Sequence, residues 1–195
     1  MSLVKVLPDV SASGGAQMAL DDGLLETVEH IMARRYTWSP PALSLGKFQR
    51  VGLAPGLPFD VVRRPSGGRA VLHGEAFEWS FAVAFPAATL GAGRRADADV
   101  ALPYELVSGA FAGALRELGV ALDGGRGTPY QRSALCFASA LRHDLLARGE
   151  KLVAMAQARR GGRVLVHGSV LERRPPEELV AVETDVAATA EIHHM

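Results

Sequence analysis

The stretch RRPSGGRAVLHGEAFEWS, Arg63 to Ser80, decides how this chain is read. It couples a glycine-broken basic turn to a strand that ends on histidine. Gly67 and Gly68 permit backbone conformations closed to other residues and let the main chain approach a ligand closely, while Arg63, Arg64 and Arg69 set fixed positive charge around them. That pattern suits an anionic or carbonyl-bearing small molecule. Two glycines ahead of an arginine also make an ordinary hairpin turn, which is the plainer reading of the motif in isolation.

Working outward, Pro58 to Phe85 reads as strand-rich. In FEWSFAVAF the large residues Phe77, Trp79, Phe81, Val83 and Phe85 alternate with Glu78, Ser80, Ala82 and Ala84, giving one bulky apolar face and one small face. Upstream, Met18, Leu24, Leu25, Val28, Ile31 and Met32 recur at helical spacing and predict a helix over Ala16 to Arg35, with Ser13, Gly14 and Gly15 as its lead-in loop. Downstream, Pro103 to Leu118 predicts a second helix, opened by proline, stopped by Gly119, with a stripe of Leu106, Ala110, Ala114 and Leu118. The loop Asp123 to Ser133 follows and delivers Cys136.

From Glu150 the pattern is a hairpin. KLVAMAQARR and RVLVHGSVLE flank Gly161 and Gly162, residues suited to a tight reversal. Lys151, Val153, Met155 and Gln157 then share one face, and Leu152, Ala154, Ala156 and Ala158 the other. In the tail, Pro176 followed by Glu177 and Glu178 predicts a helix start, since acidic side chains favour the positive end of the helix dipole. Helices mixed with antiparallel-looking strands make the fold class α+β. A single domain over residues 1–195 is expected, with 172–195 as a C-terminal tail.

Lysine plus arginine equals aspartate plus glutamate at 21 each, so no global basic field argues for nucleic acid and no acidic excess for disorder. The single cysteine excludes an intrachain disulfide and a CxxC metal pair, which fits a reducing cytoplasm. With neither a signal-like apolar core near MSLVKVLPDVS nor an apolar run of membrane-spanning length, a soluble cytoplasmic protein without membrane partners is expected.

Cys136 is the one thiol, and a thiolate can accept an acyl group from a thioester and pass it to an amine; a buried, inert thiol is the alternative. Lys151 reads from its GEK context as a solvated charge. His73 and His167 each end or interrupt an apolar strand, as core histidines satisfied by a backbone carbonyl do, and His73 lies close enough to the glycine turn to face a site there. No zinc site is expected from histidines and a cysteine scattered over separate strands.

Four motifs in one order, AQMALDDGLL (Ala16 to Leu25), RRYTWSPPALSLGKFQ (Arg34 to Gln49), RRPSGGRAVLH (Arg63 to His73) and CFASALRHDLLARGEKLVAMAQARRGGRVLVHGSVL (Cys136 to Leu171), resemble the lipoate–protein ligase and octanoyltransferase family. The resemblance implies a catalytic domain related to that of biotin–protein ligases. Cys136 and Phe137 match the CF motif that carries the nucleophile in the cysteine-dependent octanoyltransferase branch, and Lys151 starts the strand that holds a lysine beside the acyl carbonyl. An ammonium there would lower the cysteine pKa and stabilise charge on the carbonyl oxygen. Arg63, Arg64, Gly67, Gly68, Arg69, His73 and Met155 become the candidate substrate-binding set.

The resemblance further implies transfer of octanoyl or a related medium-chain acyl group from an acyl carrier protein to a lysine of a lipoyl domain or glycine-cleavage H-type protein, with no cofactor. Two alternatives stay open. One is a lipoate–protein ligase using ATP and magnesium, with its accessory domain on another chain; the other is a non-catalytic binder. The chain departs from the family where Ala154 and Met155 replace glycine and serine, and where Ala76 and Trp79 replace an acidic residue and a tyrosine.

Overall fold

The computed structural model describes residues 3–50, 57, 59–91, 99–123, 141–177 and 191–192. The chain runs β1 (Lys5–Val6), β2 (Val10–Ala12), α1 (Gly14–Thr27), β3 (Met32–Trp38), β4 (Ala42–Leu45), β5 (Gln49–Arg50), β6 (Asp60–Arg63), β7 (Val71–His73) and β8 (Glu78–Pro86). A 3-10 turn (Ala87–Leu90) and α2 (Ala101–Glu117) precede β9 (Leu145–Ala147), β10 (Glu150–Arg160), β11 (Arg163–Leu171) and β12 (Glu191–Ile192). The α+β class expected from the sequence is the one observed. A seven-stranded sheet has the order β1-β3-β8-β11-β10-β9 with β2 also on β3, and beside it lie a three-stranded sheet, β6-β4-β7, and the pair β12-β5. All pairs are antiparallel except β1–β3, β2–β3 and β4–β6.

Strand alternation separates two cores. On one face, Tyr36, Ser80, Ser169 and Ala154 form a row across β3, β8, β11 and β10, followed by Arg34, Ala82, His167 and Ala156, then Met32, Ala84, Leu165 and Ala158. These mostly small residues let α1 pack closely, and Met18, Leu24 and Leu25 bury against Ala82, Ala84, Ala158 and Leu165. On the other face the bulky set Phe81, Phe85, Val153, Met155, Val164 and Val166 meets Val107 of α2, with Tyr104, Phe111 and Leu115 packed around it. The β10–β11 reversal places Gly161 and Gly162 at φ 54° and 73°, the left-handed pair that a two-residue hairpin requires.

Several expectations are corrected. Helix α1 ends at Thr27 rather than Arg35, and Gly14 and Gly15 are its first residues while Ser13 is the N-cap. Residues Met32 to Arg35 are strand, because Ala33 and Arg35 pair with Val83 and Phe81 of β8. On α2 the expected stripe faces solvent: Leu106 is 53% and Leu118 79% exposed, whereas Pro103, Val107 and Ala112 are buried. Side-chain area decides this, since Tyr104, Val107, Phe111 and Leu115 offer more apolar surface than a leucine–alanine stripe. Of the RRPPEE stretch, residues 173–176 carry no regular structure and Glu177 is helical, while residue 178 onward and residues 124–133 of the Asp123 to Ser133 loop lie outside the described residues. Within the expected tail, Glu191 and Ile192 pair with Arg50 and Gln49.

Candidate active site

The turn between β6 and β7 is not a hairpin. Those strands do not pair with each other; each flanks β4, β6 in parallel and β7 antiparallel, so residues 64–70 cross the end of β4. The crossing is clamped from within. Arg64 donates to the carbonyls of Ser44 (2.9 Å), Gly67 (3.0 Å) and Arg69, and Lys47 N donates to Ser66 O at 2.8 Å. Gly46 lies so close beneath that a β-carbon there would stand 1.9 Å from Gly68 O, and Gly68 takes φ 96°. The turn is thereby held rigidly over the end of β4, with the Arg64 N–H also donating to Leu45 O at 3.0 Å.

Beside this turn is a small pocket, ≈390 Å³ of empty space with open solvent included. Met18, Tyr36, Trp38, Val71, Ala154, Met155 and Ala156 line it, with Ser44, Arg64, His73, Ser80, His167 and Ser169 as its polar groups.

Two acid–histidine–serine chains run through the wall. In the first, Asp21 Oδ2 lies 2.7 Å from His167 Nδ1, and His167 Nε2 lies 2.6 Å from Ser66 Oγ. Asp21 also accepts from the Tyr36 hydroxyl (3.1 Å) and pairs with Arg34 (3.3 Å), whose guanidinium donates to Gln17 Oε1. Burial, followed by the Asp21 charge, pushes the Tyr36 hydroxyl well above its usual range. Helix α1 is thereby tied to β11 and to the basic turn.

In the second chain, His73 Nε2 lies 2.7 Å from Ser44 Oγ and His73 Nδ1 lies 3.3 Å from Glu78 Oε1. Ser80 donates to Glu78 Oε2 at 3.1 Å and accepts from Trp38 Nε1 at 2.8 Å, while the Trp38 ring stacks on His73 at 4.0 Å and 13°. Burial lowers the His73 pKa from its ordinary 6.5, against the opposing pull of Glu78, so the ring is neutral at pH 7. A carboxylate facing Nδ1 holds the proton there and leaves Nε2 to accept from the serine.

Comparison with known proteins decides what this framework is. The model of the lipoyl protein ligase A/B catalytic domain matches residues 13–183. The chain belongs to that family. It is 33% identical over 205 residues to the octanoyltransferase LipM of Kyrpidia tusciae, covering 93% of this chain and 70% of the relative. The fold is that of the putative lipoate protein ligase Ta0514 of Thermoplasma acidophilum with bound lipoic acid, at a TM-score of 0.73 and 21% identity over 93% of this chain and 71% of that one. A bi-partite lipoate protein ligase described with its E2 lipoyl domain, from the same organism, matches at 0.62 and 20% identity over 96% of this chain and 71% of that one.

Within this lipoyl-ligase framework the candidate residues separate. Arg64, His73 and Met155 line the pocket. Gly67 and Gly68 lie in the clamped turn, and Arg69 is buried there, 8% exposed. Arg63 is spent elsewhere: its Nη1 donates to the carbonyls of Gly46 (2.8 Å), Lys47 (3.2 Å) and Gln49 (2.6 Å), so it staples the β4–β5 connection. Met155 belongs at once to the pocket lining and to the core under α2. Cys136 lies outside the described residues.

Lys151 is not a solvated charge. It is 7% exposed with Nζ 2.8 Å from Asp144 Oδ2, and it does not line the pocket. A register shift between Lys151 and Val153 also breaks the simple alternation that would put Lys151 on the Met155 face. The two histidines are satisfied by carboxylates and serines rather than by backbone carbonyls. Sequence reasoning missed Asp21, Ser44, Ser66 and Ser169. Asp21 alone left a signal, as an acidic residue four positions after Gln17 on the face that carries Leu24 and Leu25.

Proposed function

We propose that this chain is an octanoyltransferase of protein lipoylation: it takes a medium-chain acyl group from an acyl-carrier-protein thioester and delivers it to a lysine of a lipoyl domain or glycine-cleavage H-type protein. The observation that carries this reading is similarity to an octanoyltransferase along 93% of the chain, with a pocket of the right character beside the basic turn. The apolar lining from Met18, Trp38, Val71 and Met155 suits the acyl chain, and the positive charge of Arg64 in the same wall suits its carbonyl end.

In this mechanism the Cys136 thiolate attacks the thioester carbonyl carbon, the C–S bond to the carrier breaks, and the acyl group rests on Sγ. The acceptor lysine amine then attacks, and the cysteine leaves. Lys151, paired with Asp144 outside the pocket lining, is the proposed source of positive charge for the thiolate. No cofactor takes part. The reaction belongs to the cytoplasm, where a free thiol persists. Among the described residues no helix is long and apolar enough to cross a membrane.

The test is octanoyl transfer from carrier protein to a lipoyl domain, with and without ATP, read with the intact mass of the enzyme. Transfer without ATP through an adduct cleaved by neutral hydroxylamine is expected, both lost in Cys136→Ala. Strict ATP dependence would instead make the chain a ligase.

A further inference from the structure

The two acid–histidine–serine chains are alike in connectivity, yet they end differently. Ser66 Oγ closes the first on the inner side of the basic turn, its own carbonyl fixed by Lys47 N, and Ser66 does not line the pocket. Ser44 closes the second, and Ser44 does line the pocket, together with His73 and Arg64. We propose that Ser44, with His73 as its base and Glu78 orienting that base, is a second acyl-accepting nucleophile, which gives the chain a slow hydrolase activity on medium-chain acyl thioesters independent of Cys136. The proposal rests on the acyl group occupying this pocket, as in the transferase reading above.

The parts required for serine acyl chemistry are a hydroxyl hydrogen-bonded to a neutral imidazole, a carboxylate on the far ring nitrogen, and a donor where negative charge develops. Ser44 Oγ and His73 Nε2 are 2.7 Å apart, within the range of a proton-transfer pair. The stacked Trp38 ring fixes the imidazole plane, and Glu78 at 3.3 Å from Nδ1 fixes its tautomer. Burial keeps the ring unprotonated and therefore able to accept. Arg64 Nη1 donates to Ser44 Oγ at 3.2 Å, where its charge favours the alkoxide. Ser169 Oγ stands 3.4 Å from His73 Nδ1 on the other side and completes the polar wall.

The step balances without any further reagent than water. The Ser44 O–H proton passes to His73 Nε2 as Oγ bonds to the acyl carbonyl carbon; the C–S bond breaks, and the departing thiolate takes that proton and leaves as a thiol. Water then attacks the ester carbonyl, giving a proton to Nε2. The C–Oγ bond breaks, Ser44 recovers its proton, and a free carboxylic acid leaves.

The experiment uses the full chain carrying Cys136→Ala, with octanoyl carrier protein as probe, and follows free-thiol release and the intact mass. Peptide mapping locates any acyl group. The expected result is slow thiol release through an oxygen ester on the Ser44 peptide, stable to neutral hydroxylamine. Adding His73→Gln should cut the release by about a hundredfold, the low end of the contribution of a positioned general base. Because Ser44→Ala disturbs a buried network, Ser44→Cys is the companion variant: it should fold, and it should move the adduct on that peptide to a thioester cleaved by neutral hydroxylamine. If the wild type forms its Cys136 thioester but Cys136→Ala shows neither release nor a Ser44 adduct, the second nucleophile is refuted and the transferase reading stands. If the wild type forms no adduct either, both fall together.

Discussion

Replacing Asp21 by asparagine tests the energetic centre of the site. The carboxylate is fully buried and faces three partners: His167 at 2.7 Å, Tyr36 at 3.1 Å and Arg34 at 3.3 Å. Arg34 is itself only 5% exposed, so Asp21→Asn strands a buried guanidinium that keeps just Gln17 and the face of the Tyr36 ring, 3.8 Å away. Breaking a buried ion pair by removing one partner costs about 3 to 5 kcal/mol. Asparagine preserves size and one acceptor oxygen, which argues for about 3 kcal/mol; at about 2 to 4 °C per kcal/mol for a chain of this length, the melting temperature should fall by about 6 to 12 °C. Thermal unfolding followed by far-UV circular dichroism measures this. The double variant Asp21→Asn with Arg34→Gln should recover part of the loss, because it removes the stranded charge. A single variant melting within about 2 °C of wild type, or a double variant no better than the single, would refute the claim that charge pairing holds α1 to this face.

Lys151→Ala should destabilise the chain by about 3 kcal/mol in urea unfolding, since it leaves Asp144 buried with only the N–H groups of Leu141 and Met155. Combining it with Asp144→Asn should restore stability but not octanoyl transfer, and transfer at the wild-type rate in that double variant would remove Lys151 from the reaction. Met155→Ser should shift the relative transfer rates of an acyl-chain series toward longer chains by a graded amount, about 1 to 3 kcal/mol per methylene at most. Identical profiles would leave Met155 a core residue under α2 only. Because the folded pKa of His73 lies below its ordinary 6.5, the unfolded chain binds that proton first as pH drops, so the contribution of His73 to stability is whole above 6.5 and is lost as pH falls through the lower folded value. Melting temperatures across pH 5 to 8 should show this slope, flattened in His73→Gln; an equal slope in both would place the titration elsewhere.

What was legible in the sequence was whatever a short-range period encodes. The alternation in β8 fixed both its faces, and paired glycines fixed the β10–β11 reversal, because each pattern is satisfied within a few residues. The end of α1 was misread because Ile31 and Met32 continue the helical period although β8 claims Met32 for the sheet. On α2 two apolar stripes lie one residue apart, so periodicity marks a helix without choosing its buried side. The candidate site was legible at Arg64, His73 and Met155 but not in its wiring. Hydrogen bonds from Asp21 to His167 and from Ser66 to His167 span 146 and 101 positions, and single polar residues in apolar strands look locally like solvent-facing ones.

Those long spans have a consequence for synthesis. His167 and Ser169 arrive with β11, which inserts between β8 and β10 as one of the last described strands. Until it does, Asp21 and Ser66 lack their common partner, and Ala154 and Ala156 lack the β11 neighbour that holds them as one wall of the pocket. A nascent chain stalled on the ribosome before Arg163 would therefore display the basic turn and the Asp21 carboxylate without the cavity that the finished chain builds beside that turn.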